Sequence, residues 1–212
     1  MRHRRPSSVP FLLRRRRRIR RTVFSLLALL ALSVVLGRWD LFGRPSGDDW
    51  AIYDKQSFIV THVVDGDTID VASALGSKYT RVRLLGIDAP ELHGDGGQPQ
   101  FWAESATKYA AARSDHKTVT LKLEPTETRD RYGRLLAYVY LSDAEMLNLS
   151  LVRDGQAYAD RRFRHTMRPQ FEQTENAARK KGTGLWKEVK VAQMPAWRQR
   201  WLEERSSRAR AD

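Results

Sequence analysis

β-branched and alternating stretches dominate the middle of the chain. Ser57 to Val64 reads Ser-Phe-Ile-Val-Thr-His-Val-Val and predicts a strand. Asp65-Gly66-Asp67 is a turn signal, after which Thr68 to Val71 resumes the strand pattern. Tyr79 to Leu85 predicts a third strand, with Val82 and Leu84 facing a core and Arg81 and Arg83 on the opposite side. Asp88 to Pro99, rich in Gly, Pro and Asp, predicts a loop. Helical spacing then runs from Pro99 to Arg113, offering Phe101, Trp102, Ala106, Tyr109 and Ala110 as a buried face. Lys117 to Leu123 and Leu135 to Leu141 return to strand character. Met146 to Arg153 predicts a helix capped by Gly155, and Pro169 to Lys181 a further one ending at Gly182. Strands first, one inserted helix and helices at the end predict an α+β, mainly β fold: a five-stranded OB-type barrel with three packed helices.

The pattern ahead of the barrel is different. Val23 to Leu36 is an uncharged apolar run, preceded by the cationic block Arg14 to Arg18, Arg20 and Arg21. A basic region before a hydrophobic stretch is the pattern of an export signal or signal anchor. With its flanks the run is about 16 residues, short of the roughly 20 that span a bilayer, but Trp39, Leu41 and Phe42 extend it at the interface. No small-x-small cleavage site stands in a suitable place, so residues 22–42 are expected to be an uncleaved membrane anchor; a cleaved signal is the alternative, and Arg20-Arg21 also permits twin-arginine export. The positive-inside rule places the basic segment 1–21 in the cytoplasm and the rest on the far side, periplasmic or extracellular. Residues 43–56 read as a linker, 57–187 as the folded domain and 188–212 as a C-terminal tail. In that tail Trp197 and Trp201 would share a helical face.

Charge changes the picture only after it is located. The formal charge is +13, yet residues 1–21 carry ten arginines and no acid, leaving about +3 for the remaining 191 residues. The basic excess is therefore weak evidence for nucleic-acid binding by the domain. The absence of cysteine excludes disulfides, thiolate metal sites and a cysteine nucleophile.

Candidate chemistry gathers in three places: Val64-Asp65-Gly66-Asp67-Thr68, Arg83-Leu84-Leu85-Gly86-Ile87-Asp88-Ala89-Pro90-Glu91, and Asp130-Arg131-Tyr132-Gly133-Arg134. Asp67 and Asp88 both stand at loop-facing strand ends, where two carboxylates can converge on one ion. Oxygen ligands without a His or Cys pattern favour Ca²⁺ or Mg²⁺ over zinc. Arg83 and Arg134 could meet an anion near that metal. Each residue alone has an ordinary explanation: a hairpin turn for Asp65 to Asp67, a loop acid for Asp88, a solvated Glu91, surface ion pairs for both arginines. His62, His93, His116 and His165 fall in no catalytic spacing.

Taken together, these motifs resemble the staphylococcal nuclease (thermonuclease) family. Arg131-Tyr132-Gly133-Arg134-Leu135-Leu136-Ala137-Tyr138, Asn148 to Gly155 and Gly184-Leu185-Trp186 extend the resemblance over about residues 57–187. It implies a calcium-dependent endonuclease cleaving DNA and/or RNA to leave 3′-phosphate ends. By motif position, it makes Asp67, Asp88 and the Ala89 carbonyl calcium ligands and Asp65 a water-mediated neighbour. It makes Glu91 the general base, with Arg83 and Arg134 the phosphate clamps. The chain departs from the family at Arg161, where a tyrosine stands near the nucleotide phosphate in a relative. A monomer with a nucleic-acid substrate is expected, with no protein partner and no cofactor other than calcium. Two other readings stand beside it. One is a non-catalytic OB-type nucleic-acid-binding module tethered to the membrane; such modules typically lose the acids retained here. The other is a membrane-anchored interaction protein whose residues 188–212 dock a partner.

Overall fold

The structure, a computed structural model, describes residues 49–211 apart from 77, 95–96, 126 and 143. The expected anchor helix over 22–42 lies outside the described residues, and no described helix is long and apolar enough to cross a membrane. A short helix α1 (Asp49–Tyr53) precedes strands β1 (Ser57–Val63), β2 (Thr68–Ala72) and β3 (Tyr79–Leu84), then a two-residue strand β4 (Ile87–Asp88). Helix α2 (Ala103–Ser114) leads to β5 (Thr118–Leu123), β6 (Leu135–Ser142) and β7 (Glu145–Met146). Helix α3 (Leu147–Arg153), strand β8 (Tyr158–Ala159), helix α4 (Arg168–Lys181), two 3-10 turns and helix α5 (Ala196–Ala211) complete the order.

The five long strands close on themselves. β1 pairs antiparallel with β2 and β5, β2 with β3, and β5 with β6, while β3 and β6 join in parallel. Closure removes free sheet edges and gives one core. That core is filled by Val60, Ile69, Val71, Val82, Leu121, Leu135 and Val139, all fully buried. β3 alternates as its sequence predicts: Thr80, Val82 and Leu84 are buried, with Tyr79, Arg81 and Arg83 less so.

Three expectations need correction. The inserted helix starts at Ala103 rather than Pro99, because Trp102 is left-handed (φ 76°) and breaks the helical path. Phe101 and Trp102 pack instead on Tyr158, Leu185 and Met194 in a second apolar cluster. The loop expected from Asp88 begins one residue inside a strand: Ile87 and Asp88 pair with Ala159 and Tyr158. And an unexpected helix, α1, lies inside the stretch read as a linker, while α5 is the helix in the tail on which Trp197 and Trp201 are expected to share a face. Asp49 of α1 is buried and forms a two-pronged ion pair with Arg129, at 2.9 Å on each prong, so this helix is docked to the barrel.

Candidate active site

The turn between β1 and β2 aims Asp67 inward. The Asp65 carboxylate accepts the Asp67 N–H at 3.0 Å, an Asx turn that fixes the backbone. Gly66 is required by space: a Cβ there would come within 2.7 Å of the Ala89 Cβ and 2.8 Å of the Ala106 Cβ. That close approach seats Asp67 against the chain following β4, where its carboxylate accepts the Ala89 N–H at 2.7 Å and the Thr68 hydroxyl at 3.1 Å. Gly86, at φ 79°, turns the chain from β3 into β4; a side chain there would collide with His165 and Phe171. The tight turn brings Asp88 back beside Arg83.

Arg83 is the hub of the arrangement. One guanidinium nitrogen lies 2.7 Å from Asp67 Oδ2 and also donates to the carbonyl of Ile87 at 2.9 Å. The other donates to Asp88 Oδ1 at 2.9 Å. The residue is buried among these partners, which opposes its charge, but Asp67 and Asp88 hold it more basic than a free arginine. Burial pushes the Asp67 carboxyl well above the usual carboxylate range; Arg83 pulls it down, and the charges of Asp65 and Asp88 add to the push.

Arg134 arrives from the turn before β6. Asp130 organises that turn, accepting the N–H groups of Tyr132 and Arg134 on one oxygen and the Arg134 Nε–H on the other at 2.7 Å. Glu91 is exposed at the lip of the same cleft. Its carboxyl is raised by the partial desolvation of its setting and by the charge of Asp65, eased by Arg83, raised again by Asp88 and eased by Arg134.

Arg83, Asp88, Glu91 and Arg134 line one cleft of about 640 Å³; Asp67 and Ala89 are buried and do not line it, Asp67 pairing with Arg83 and accepting the Ala89 N–H. Four of the six residues selected from the sequence line this cleft, and Asp67 and Ala89 join them through the Arg83 ion pair and the Ala89 N–H. Arg83 faces the carboxylates within the protein, and Arg134 is half-buried against Asp130, so the two arginines are not equivalent. Arg161 does not line the cleft: it pairs with Glu172 and Glu175 and lies over the Trp201 ring. His165 sits behind the barrel wall beside Tyr138 and Phe171, and burial lowers its basicity.

The sequence reading missed three residues. Arg162 donates to Asp88 at 2.8 Å and to Asp160, which places a further guanidinium in the cleft. Asp160 in turn accepts the Arg162 N–H at 2.9 Å, turning that side chain back. Trp197 of α5 donates its indole N–H to Asp88 Oδ2 at 2.8 Å. The Arg161-Arg162-Phe163-Arg164 run was a signal of positive charge, but nothing in it said which arginine turns inward.

Could these residues hold a divalent cation? Among the described residues no group of three or more acidic or histidine side chains is gathered closely enough to do so as it stands. Asp67 and Asp88 are instead bridged by Arg83. The donor set is nonetheless all oxygen, and a buried carboxyl raised partly by two acidic neighbours is a place where a cation would relieve repulsion. The residues therefore fit a hard divalent ion in kind.

A family model described as staphylococcal nuclease homologue matches residues 81–188. A thermonuclease of Staphylococcus intermedius is 34% identical over 134 residues, covering 62% of this chain and 76% of that protein. An uncharacterized endonuclease of Escherichia coli O157:H7 is 36% identical over 141 residues, covering 66% of this chain and 84% of its own length. An uncharacterized endonuclease of Haemophilus influenzae is 32% identical over 145 residues, 68% of this chain and 74% of that one.

Proposed function

The chain belongs to the staphylococcal nuclease homologue family, and from that premise we propose that it is a nuclease cleaving phosphodiester bonds in DNA and/or RNA. The proposal extends to calcium dependence and 3′-phosphate products. The observation that carries it is the convergence of Asp67 and Asp88 on Arg83, beside a cleft that Arg83 and Asp88 line together with Glu91 and Arg134. Phosphodiester hydrolysis needs those parts: a hard cation, a base for water and positive charge on the phosphate oxygens.

Asp67, Asp88 and the Ala89 carbonyl would hold calcium, which when bound supplies localised positive charge that polarises the phosphate. Glu91, with its raised carboxyl, orients the attacking water and takes its proton. Arg134 is held by Asp130 with guanidinium N–H groups left to meet phosphate oxygens. Arg83 would exchange a carboxylate partner for a phosphate oxygen as the substrate enters. Charge growing on the phosphoryl oxygens is met by these two guanidinium groups, whose planar forks suit phosphate better than a lysine. Water attack with departure of the 5′-oxygen leaves the 3′-phosphate end.

The test is incubation of residues 44–212 with single-stranded DNA, in calcium and then in excess chelator. Cleavage that needs calcium and is lost in Glu91→Gln supports the enzyme. Binding without cleavage at any calcium concentration favours the non-catalytic module, a reading helped by the fact that Arg83 and Arg162 already neutralise the carboxylates. We further propose that residues 22–42 anchor the protein, with the nuclease on the non-cytoplasmic side.

A further inference from the structure

Helix α5 lies beyond residue 188, where the family match ends, and yet it reaches Asp88, which lines the cleft. Its Trp197 indole N–H donates to Asp88 Oδ2 at 2.8 Å, while Arg83 and Arg162 both occupy Oδ1. The Arg162 guanidinium also lies over the Trp197 ring, 5.1 Å from its centre. One residue further on, Arg198 is fully buried and donates to both oxygens of Glu175 at 2.8 and 2.9 Å. Glu175 accepts the Ala159 N–H at 3.0 Å, and Ala159 pairs with Ile87 across β4 and β8. The helix is therefore tied both to the Asp88 side chain and, through Glu175, to the strand that carries it.

Packing would account for an indole at this place, but it does not require the N–H to point at a carboxylate. The rotation of an aspartate carboxyl about its last bond is soft. Two guanidinium groups already face Asp88. Left free, the carboxyl could turn to give both oxygens to them, and such a two-pronged pair competes strongly with a cation. The indole N–H holds Oδ2 away from that arrangement. With one hydrogen bond on it, Oδ2 keeps a lone pair free.

We propose that Trp197 is a positioning residue of the active site: it holds the Asp88 carboxylate in the orientation that can receive the divalent cation. The inference rests on the calcium reading of the site given above. The experiment is calcium titration of the full chain by calorimetry, comparing wild type with Trp197→Phe, which keeps the ring and removes the donor, and with Trp201→Phe. Trp201 shares the helix and packs on Arg161 and Arg198 without touching Asp88. Trp197→Phe should weaken the calcium Kd by roughly tenfold, the scale for losing a partner of a metal ligand. Trp201→Phe should leave it unchanged. Adding Arg162→Ala to Trp197→Phe should recover part of the loss. The calcium needed for half-maximal cleavage should shift by the same factor, with kcat at saturating calcium unchanged. In the wild type the Trp197 indole N–H resonance should move on calcium addition, a readout that needs no variant. An unchanged Kd in Trp197→Phe, equal weakening in both single variants, or an unmoved indole resonance would overturn the proposal, as would a wild type that binds no calcium. A wild type that binds calcium but cleaves nothing sinks the nuclease reading while the Kd comparison still decides Trp197.

Discussion

Glu91 stands between opposing charges, and that balance predicts how activity depends on pH. Partial desolvation and the charges of Asp65 and Asp88 raise its carboxyl, while Arg83 and Arg134 lower it. A general base must be ionised, so kcat/KM should fall as pH drops through the Glu91 value. Arg134→Ala removes one of the lowering charges. It should cut kcat by at least roughly 10²-fold, the scale of losing a donor to transition-state charge, and move the residual acid limb to higher pH. Glu91→Gln should cut kcat by a similar factor and abolish the limb; steady-state kinetics across pH checks both. Near-wild-type turnover in either folded variant would remove that residue from the mechanism. Asp67→Ala should instead raise the calcium requirement, read from a calcium titration of the rate. At this scale much was legible. Asp67, Asp88, Glu91, Arg83 and Arg134 stand in short motifs whose turns place them together, whereas Arg162 and Trp197 reach Asp88 from 74 and 109 residues away. Contacts of that separation leave no local pattern to read.

The elements that position the site divide by length. The five barrel strands run five to eight residues, long enough for alternation to show in the sequence. Strands β4 and β8 have two residues each, and helix α1 has five, all too short for a period to declare itself. Yet α1 bears on the site. Its Asp49 holds Arg129 by two 2.9 Å contacts, and Arg129 donates to the Gly133 carbonyl at 2.8 Å in the turn that presents Arg134. Both side chains of the pair are buried, at 7% and 2% exposure, so solvent screening does little to weaken it. Breaking such a pair strands a buried guanidinium. Asp49→Ala should therefore cost about 3 kcal/mol of stability in denaturant unfolding and lower kcat by loosening the Arg134 turn. Asp49→Asn, which keeps an acceptor, should lose less. A cost under about 1 kcal/mol for the alanine variant would mean that α1 is not part of the barrel's cooperative unit.

For the whole molecule, where the charge sits matters more than its total. The cleft mixes Arg83, Arg131, Arg134, Arg162 and Arg164 with Asp88, Glu91, Glu124, Glu127, Asp130 and Asp160, and residues 22–212 carry only about +3 in all. Such a body has little long-range field with which to draw in a polyanion, so substrate capture must rest on contacts made inside the cleft. For the ten arginines of residues 1–21 we propose a different task, holding the chain at a membrane. The two roles separate on truncation. Removing residues 1–43 should move nuclease activity from the membrane fraction to the soluble fraction. It should leave kcat/KM on a short oligonucleotide within about threefold at physiological salt, where fields are screened beyond about 8 Å. If the arginine block instead captures nucleic acid, truncation will lower kcat/KM tenfold or more, and the deficit will grow as salt is reduced, because each lost phosphate contact steepens the salt dependence. Fractionation paired with a salt series on the two forms separates an anchor from an arm.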